Sequence, residues 1–317
     1  MGWNIESLLS DLRVEYQTNG PTQSKIISGV ASIKEATEDE LSFCYHEGEK
    51  GASLISQSKA GVILCKKALE GLIQQRPGSQ IFYLDNPRLV FVQIMKQIYN
   101  KKRNVGISSN AVISKGAKIG FDCYIGDYSV IGENCKIGNN TIISERVSLV
   151  QNCSIGDGCI IQPGVTIGAD GFAFERYQNG ELERFPHIKG VKIGNYVEIC
   201  ANSSIARGSL SDTMIGDGTK IDALVHIAHN VVTGKNCELT AGTIIGGSTT
   251  LGDMCWTGLN STLKDNIKVG NNALIAAGAA VIHDVQDEDI VAGVPAKSIK
   301  DKVTSDLLFL MSGQKSK

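Results

Sequence analysis

The chain has no apolar run of eighteen residues, no C-x-x-C spacing and only five histidines among its 317 residues. The first absence leaves no stretch able to cross a bilayer as a helix. The opening residues, Met1-Gly2-Trp3-Asn4-Ile5-Glu6, have neither the basic start nor the apolar stretch of a secretory signal. Glu6 stands where a myristoylation motif needs Ser or Thr. A cytoplasmic location is expected. A net charge of −2 supplies no basic field for nucleic acid or an anionic membrane. Without C-x-x-C, the nine cysteines show no metal or redox spacing. The length suffices for a full core and two domains.

What the chain does have is a period of six. Ile107, Ile113, Ile119, Ile125, Ile131, Ile137, Ile143, Leu149, Ile155, Ile161 and Ile167 follow one another at that spacing. The phase resumes at Ile193, Ile199 and Ile205, and again from Ile215 to Val281, with Thr233 and Thr257 filling two gaps. A hexapeptide period means a parallel β-helix whose coils share one core. Three hexapeptides make a triangular coil, so equivalent positions recur every eighteen residues. A small residue four places after each aliphatic one also points inward: Cys123, Ser129, Cys135, Thr141, Val147, Cys153, Cys159 and Val165. Cys237 and Cys255 share this slot, which predicts buried, reduced, structural thiols. Gly, Asn and Asp suit the corners. Periodicity alone leaves the handedness open, and the general rule for parallel crossovers favours the right-handed form.

Residues 1–104 lack the period and read as a small α/β domain, with short strands at Ile26-Ile27, Leu41-Ser42-Phe43, Gly61–Leu64 and Ile81–Leu84. A helix should close it. Asn86 is the cap and Pro87 the first helical residue; Leu89, Phe91, Val92, Met95, Ile98 and Tyr99 form the apolar stripe, and Lys101-Lys102-Arg103 the cationic end. Residues 105–291 are the solenoid, and 292–317 a tail with a short amphipathic helix carrying Ile299, Val303, Leu307, Leu308 and Leu310. The solenoid is interrupted from Gly168 to Gly190 and near Gly208-Ser209-Leu210-Ser211. Insertions in a repeat array leave as surface loops, often on the binding face.

Two of the histidines, His226 and His229, fall in one segment, Asp222-Ala223-Leu224-Val225-His226-Ile227-Ala228-His229-Asn230-Val231. His229 lies two places beyond the inward Ile227, so its side chain leaves the prism, either as a general base or as an ordinary surface imidazole. A zinc site would need a third ligand one coil away, and positions 208–211 and 244–247 hold no histidine. No metal site is expected.

The segment Ile227-Ala228-His229-Asn230-Val231, with Asp222 seven places before the histidine, resembles the active-site segment of the UDP-3-O-(3-hydroxyacyl)glucosamine N-acyltransferases of lipid A synthesis. Gly171-Phe172-Ala173-Phe174, Arg207–Thr213, Ser42-Phe43 and Lys59-Ala60-Gly61-Val62 resemble further motifs of that family. The resemblance implies a mainly β protein: a left-handed parallel β-helix of hexapeptide-repeat acyltransferase type, assembled as a homotrimer, with an N-terminal uridine-binding domain and a short C-terminal helix. It also implies N-acyl transfer from a thioester on acyl carrier protein to a UDP-glucosamine derivative, with no bound cofactor. His229 would be the base and Asp222 its orienting charge. Eighteen-residue stacking sets Gly247, the family's oxyanion donor, beside His229. Phe43 would stack on uracil with help from Tyr45. Phe172, Phe174, His226, Asn230 and Asn266 would contact substrate.

Asn266 replaces the family's usual second histidine, and His46 and Glu49 replace its asparagine and tyrosine near the uridine. Gly293-Val294-Pro295-Ala296-Lys297 is common among CoA-dependent relatives, which keeps an acetyl-CoA-dependent nucleotide amino-sugar N-acetyltransferase as the alternative. A non-catalytic nucleotide-sugar binder is a further one. Lys297, Lys300 and Lys302 on the final helix would meet an acidic carrier protein or, as a solvated face, nothing.

Overall fold

The computed structural model describes residues 2–19, 25–73, 78–99 and 104–302. The chain divides into two compact units, Met1–Arg103 and Asn104–Lys317.

In the first unit Gly29–Val30, Glu40–Cys44, Val62–Lys66 and Gln80–Leu84 pair in parallel, and Gln17–Thr18 adds an antiparallel edge. Side chains alternate between two cores. Val62, Leu64, Phe82 and Leu84 pack with the helices Ile5–Asp11 and Pro87–Ile98. Ile63, Cys65, Ile81 and Tyr83 pack with Ile55 of helix Gly48–Gln57. Both faces being covered explains why these strands are continuously apolar. Asn86 caps the last helix by accepting from the Leu89 N–H at 3.1 Å. Its buried face is Val90, Phe91 and Ile94, whereas Leu89, Val92, Met95 and Tyr99 are exposed. This corrects the expected stripe: the helix is apolar on two sides, and only the sheet decides which is buried. Lys101-Lys102-Arg103 lies outside the described residues.

The second unit is a parallel solenoid of three sheets, of eight, nine and eleven strands, visited in turn by strands mostly two residues long. Register is eighteen residues wherever the period is unbroken, as in Ile119↔Ile137, Ile125↔Ile143 and Ile227↔Ile245. The inward aliphatic residues from Ile125 onward form one continuous core. Ile107, in the first coil, is 51 % exposed, because a terminal coil has a neighbour on one side only.

The inward small residue donates as well as fills. Ser129 Oγ donates to Ser144 O at 2.7 Å, Thr141 Oγ1 to Gly156 O at 2.9 Å and Cys255 Sγ to Gly270 O at 3.0 Å. Each target is a corner carbonyl fifteen residues ahead. The cysteines therefore share a slot with Ser and Thr because a thiol also reaches that oxygen. All nine are free. Inside the two gaps, Thr233 Oγ1 accepts from Gly216 N–H and Thr257 Oγ1 meets Thr243 Oγ1 at 2.9 Å, so no polar atom there is stranded.

The corners are equally regular. The third residue after the inward aliphatic is left-handed at most corners: Asn134, Asn140, Asn152, Asn230, Asn236 and Asn266 all have φ between 53° and 61°, the region Asn tolerates best after glycine. At the corner after the eight-stranded sheet, Asn or Asp side chains stack as a column. Asn139 Oδ1 accepts from Phe121 N–H at 3.2 Å, Asp157 Oδ1 from Asn139 N–H at 2.6 Å, and Asn195 Oδ1 from Asp157 N–H at 2.9 Å. The column satisfies main-chain donors that the sheets leave unpaired.

Lys297–Ser298 pairs antiparallel with Ile290–Ala292, and Lys300–Lys302 forms a single 3-10 turn. Lys297 is therefore on a strand and not on the expected terminal helix, while Lys300 and Lys302 are at the limit of the described residues; Val303, Leu307, Leu308 and Leu310 lie outside them. Among the described residues no helix is long and apolar enough to cross a membrane.

Ser129→Ala should destabilise the solenoid by about 1–3 kcal/mol, because it strands the part-buried Ser144 carbonyl and the buried Val147 N–H that donates to Ser129 Oγ. Ser129→Cys should lose under about 1 kcal/mol, a thiol being an accepted donor in neighbouring coils. Denaturant unfolding of the two variants checks this; equal losses would refute the donor role.

Candidate active site

Both interruptions of the period leave from one corner. The first runs from strand Thr166–Ala169 of the nine-stranded sheet to Val191–Ile193 of the eight-stranded sheet. The second joins Ser204–Ala206 to Thr213–Ile215 in the next coil, and His229 sits between Ile227 and Val232 in the coil after that. Three consecutive coils thus deliver two loops and a histidine to the same edge.

Arg207 anchors the first loop's departure. Its side chain is 4 % exposed; Nε donates to Gly168 O at 2.8 Å and Nη2 to Gln151 O at 2.9 Å, with Asp170 at 3.9 Å. The loop then forms an antiparallel hairpin, Phe174–Arg176 with Leu182–Arg184. Phe172 and Phe174 meet edge to face at 5.0 Å, and the Arg184 guanidinium lies 4.6 Å above the Phe174 ring. Phe172 is 88 % exposed and lines the cavity; Phe174 supports it from behind. On its return the loop ties to the second: Ile188 N–H donates to Ser209 O and Lys189 N–H to Gly208 O.

The cavity between these loops and the corner measures about 370 Å³. His226, His229, Gly247, Asp265 and Asn266 line it with Phe172. Nδ1 of His229 lies 2.9 Å from Asn230 Oδ1. Which way that amide faces is set on its other side: its Nδ2 donates to Ser211 O at 2.8 Å, a carbonyl that can only accept. Oδ1 must therefore accept from His229, from Ser209 Oγ at 2.8 Å and from Ser209 N–H at 3.3 Å. The proton of His229 is on Nδ1, and Nε2 keeps its lone pair.

Gly247 closes over that nitrogen. A Cβ there would stand 2.8 Å from His229 Nε2 and 2.7 Å from Cε1, so no other residue lets the main chain come so near. Among the described residues the Gly247 N–H makes no hydrogen bond, while its carbonyl accepts from Asn266 N–H at 2.9 Å. Asn266 turns its amide to Asp265, donating at 2.8 Å. His226 Nδ1 meets Ser204 Oγ at 2.8 Å.

One assignment needs correction. Asp222 does not reach His229. Seven residues carry the chain past one whole face of the prism, so Asp222 lies at the preceding corner. There its carboxylate accepts from Ala223 N–H at 2.7 Å and Ala241 N–H at 3.1 Å, beside a separate hollow of about 300 Å³. Asn230 is the group that bonds the imidazole, and its amide is engaged with protein partners on both sides. The residue that the sequence reading passed over is His187, buried edge-on to His229 with ring centroids 5.3 Å apart. Its position on an aperiodic loop gave no signal of that proximity.

In the N-terminal unit, Phe43, Tyr45 and His46 border a hollow of about 290 Å³. Phe43 is half-buried, 4.7 Å from Phe91 and 6.3 Å from Tyr45; Tyr45 and His46 lie 4.2 Å apart.

Residues 24–97 match the family model for UDP-3-O-(3-hydroxymyristoyl) glucosamine N-acyltransferase, and residues 116–151 and 134–169 match that for bacterial transferase hexapeptides. The UDP-3-O-acylglucosamine N-acyltransferase of Campylobacter lari is 40% identical over 286 residues, 87% of this chain and 88% of that protein. Its counterpart in Campylobacter concisus is 40% identical over 90% of this chain and 92% of its own. The crystal structure of the Francisella novicida UDP-N-acetylglucosamine acyltransferase superposes with a TM-score of 0.58 at 28% identity, covering 65% of this chain and 73% of that one. The solenoid has the left-handed form found in such acyltransferases, against the general crossover preference.

Nitrogen-15 NMR of the histidine rings should find the neutral form of His229 to be the Nδ1–H tautomer. Asn230→Ala should shift it towards a mixture of tautomers; an unchanged spectrum would refute the orienting role of Asn230.

Proposed function

The chain belongs to the UDP-3-O-acylglucosamine N-acyltransferase family, and we propose that it carries out this transfer with His229 Nε2 as general base. The observation that carries the reading is the free Nε2 lone pair beside the unpaired Gly247 N–H.

The acceptor amine attacks the carbonyl carbon of an acyl thioester and passes its proton to Nε2. The negative oxygen of the tetrahedral intermediate takes the Gly247 N–H, a fixed donor that needs no reorganisation. Collapse breaks the C–S bond, and the leaving thiolate recovers the proton from the imidazolium. Asn230 keeps Nδ1 protonated throughout, so Nε2 alone is available for both transfers.

The nucleotide of the acceptor stacks on Phe43, with Tyr45 at the rim. The acyl donor is an acyl-carrier-protein thioester, and the working form is a homotrimer. Family membership supports these three assignments.

Thiol release should be followed with UDP-3-O-acylglucosamine and either hydroxyacyl carrier protein or acetyl-CoA. The carrier-protein donor should turn over; release from acetyl-CoA alone would overturn the donor assignment. His229→Ala should lose about 10²–10⁴-fold in rate, with circular dichroism and sedimentation unchanged because the residue lies outside the prism core. Full activity in that variant would remove His229 from the mechanism. Gly247→Ala should lower kcat more than it raises KM, since its methyl group displaces the base.

A further inference from the structure

The return limb of the first loop carries a side chain that no step above uses. His187 is 6 % exposed. Neither ring nitrogen reaches a hydrogen-bond partner of normal geometry; the Phe185 main chain is a neighbouring polar group and pulls weakly towards the protonated ring. A neutral imidazole has one donor and one acceptor nitrogen. Leaving them unpaired in the interior is costly, and natural proteins keep few such groups.

This one lies against the base, the two ring planes at 70°. Both rings crowd the same point. A Cβ on Gly171 would stand 2.8 Å from His187 Nε2 and 2.8 Å from His229 Cδ2, so those two atoms lie within twice that distance of each other. Only a bare glycine separates them. The arrangement is tied at both ends: Ile188 N–H bonds to Ser209 O, and Ser209 bonds to Asn230, which holds His229.

We propose that His187 is a positioning residue for the transfer: an uncommitted imidazole dipole set against His229, which steadies the imidazolium formed there as the amine gives up its proton. The inference rests on His229 being the base. A histidine with its hydrogen bonds already made could not offer that dipole. At a position as buried as that of His187 an oriented dipole acts strongly and without reorganising. His187 itself stays neutral. Burial, and then the charge appearing on His229, hold its pKa below the ordinary histidine value. Of the other charged groups facing it, Asp170 favours protonation and Arg184 opposes it. His226 and Asp265 stand further off on the cavity wall.

The test compares His187→Phe, which keeps a ring but no nitrogen, with His187→Gln, which restores a polar acceptor. The readouts are kcat, KM and the pH profile of kcat/KM on the amine acceptor. His187→Phe should lower kcat about tenfold, less than the 10²–10³-fold typical of losing a donor to the oxyanion itself. KM should stay within about twofold, since uniform binding is untouched. Without support for the imidazolium, the acid limb of kcat/KM should move to lower pH. His187→Gln should recover most of kcat. A wild-type rate and an unmoved limb in His187→Phe would overturn the proposal. So would equal losses in both variants with an unmoved limb, which would mean packing alone. If thermal unfolding shows that the phenylalanine does not fit, His187→Leu replaces it in the same comparison. An active His229→Ala sinks the base assignment and this inference with it; a normal His187→Phe beside an inactive His229→Ala sinks this inference alone.

Discussion

The structure depends on coils stacking in register at eighteen residues. A strand two residues long cannot hold itself; it lasts only because the coil above and the coil below supply its hydrogen-bond partners. Everything at the corners follows from that register. The third corner residue turns left-handed at most corners, which favours Asn and Gly there, although Tyr128, Arg146, Leu224 and Met254 adopt the same conformation. Where the inward small residue answers a carbonyl fifteen residues on, the slot holds Ser, Thr or Cys; elsewhere, as at Val147 and Val165, it only fills space. Polar groups that would be liabilities inside a prism this narrow become the bonds between its layers.

The same register turns the corner into a readout of chemistry. The second corner position stacks vertically in every coil. After the eight-stranded sheet it holds Asn139, Asp157, Asn195 and Asp217, each capping its neighbour's N–H. After the nine-stranded sheet it holds His229, Gly247 and Asp265, which face a cavity. The geometry is common to both corners; the residue types make one a structural seam and the other a site. Both interruptions open at this second corner, so the loops that wall the cavity enter without breaking the core.

The imidazole at its centre is constrained from three directions. Asn230 takes the Nδ1 proton, and its own amide is locked by Ser211. Gly247 presents bare main chain to Nε2. His187 lies edge-on behind Gly171. An imidazole held this way has one tautomer and one orientation, which is the preorganisation that the proposed base role requires.

The period of six by itself determined the solenoid, its inward residues and the pairing of His229 with Gly247. All of these are repeats of one short-range rule, and a rule that recurs every eighteen residues carries local sequence into three dimensions without further information. Asn86 and Pro87 likewise set a helix start, because capping is local. Only the tertiary structure decided the rest. The prism turned Asp222 to another corner, since seven residues of sequence proximity span a change of face. The sheet chose Val90, Phe91 and Ile94 over an equally apolar stripe. Two aperiodic loops brought His187 and Ser209 onto the imidazole and its amide partner. Loops obey no period, so where their side chains land is settled by the packing of the folded chain.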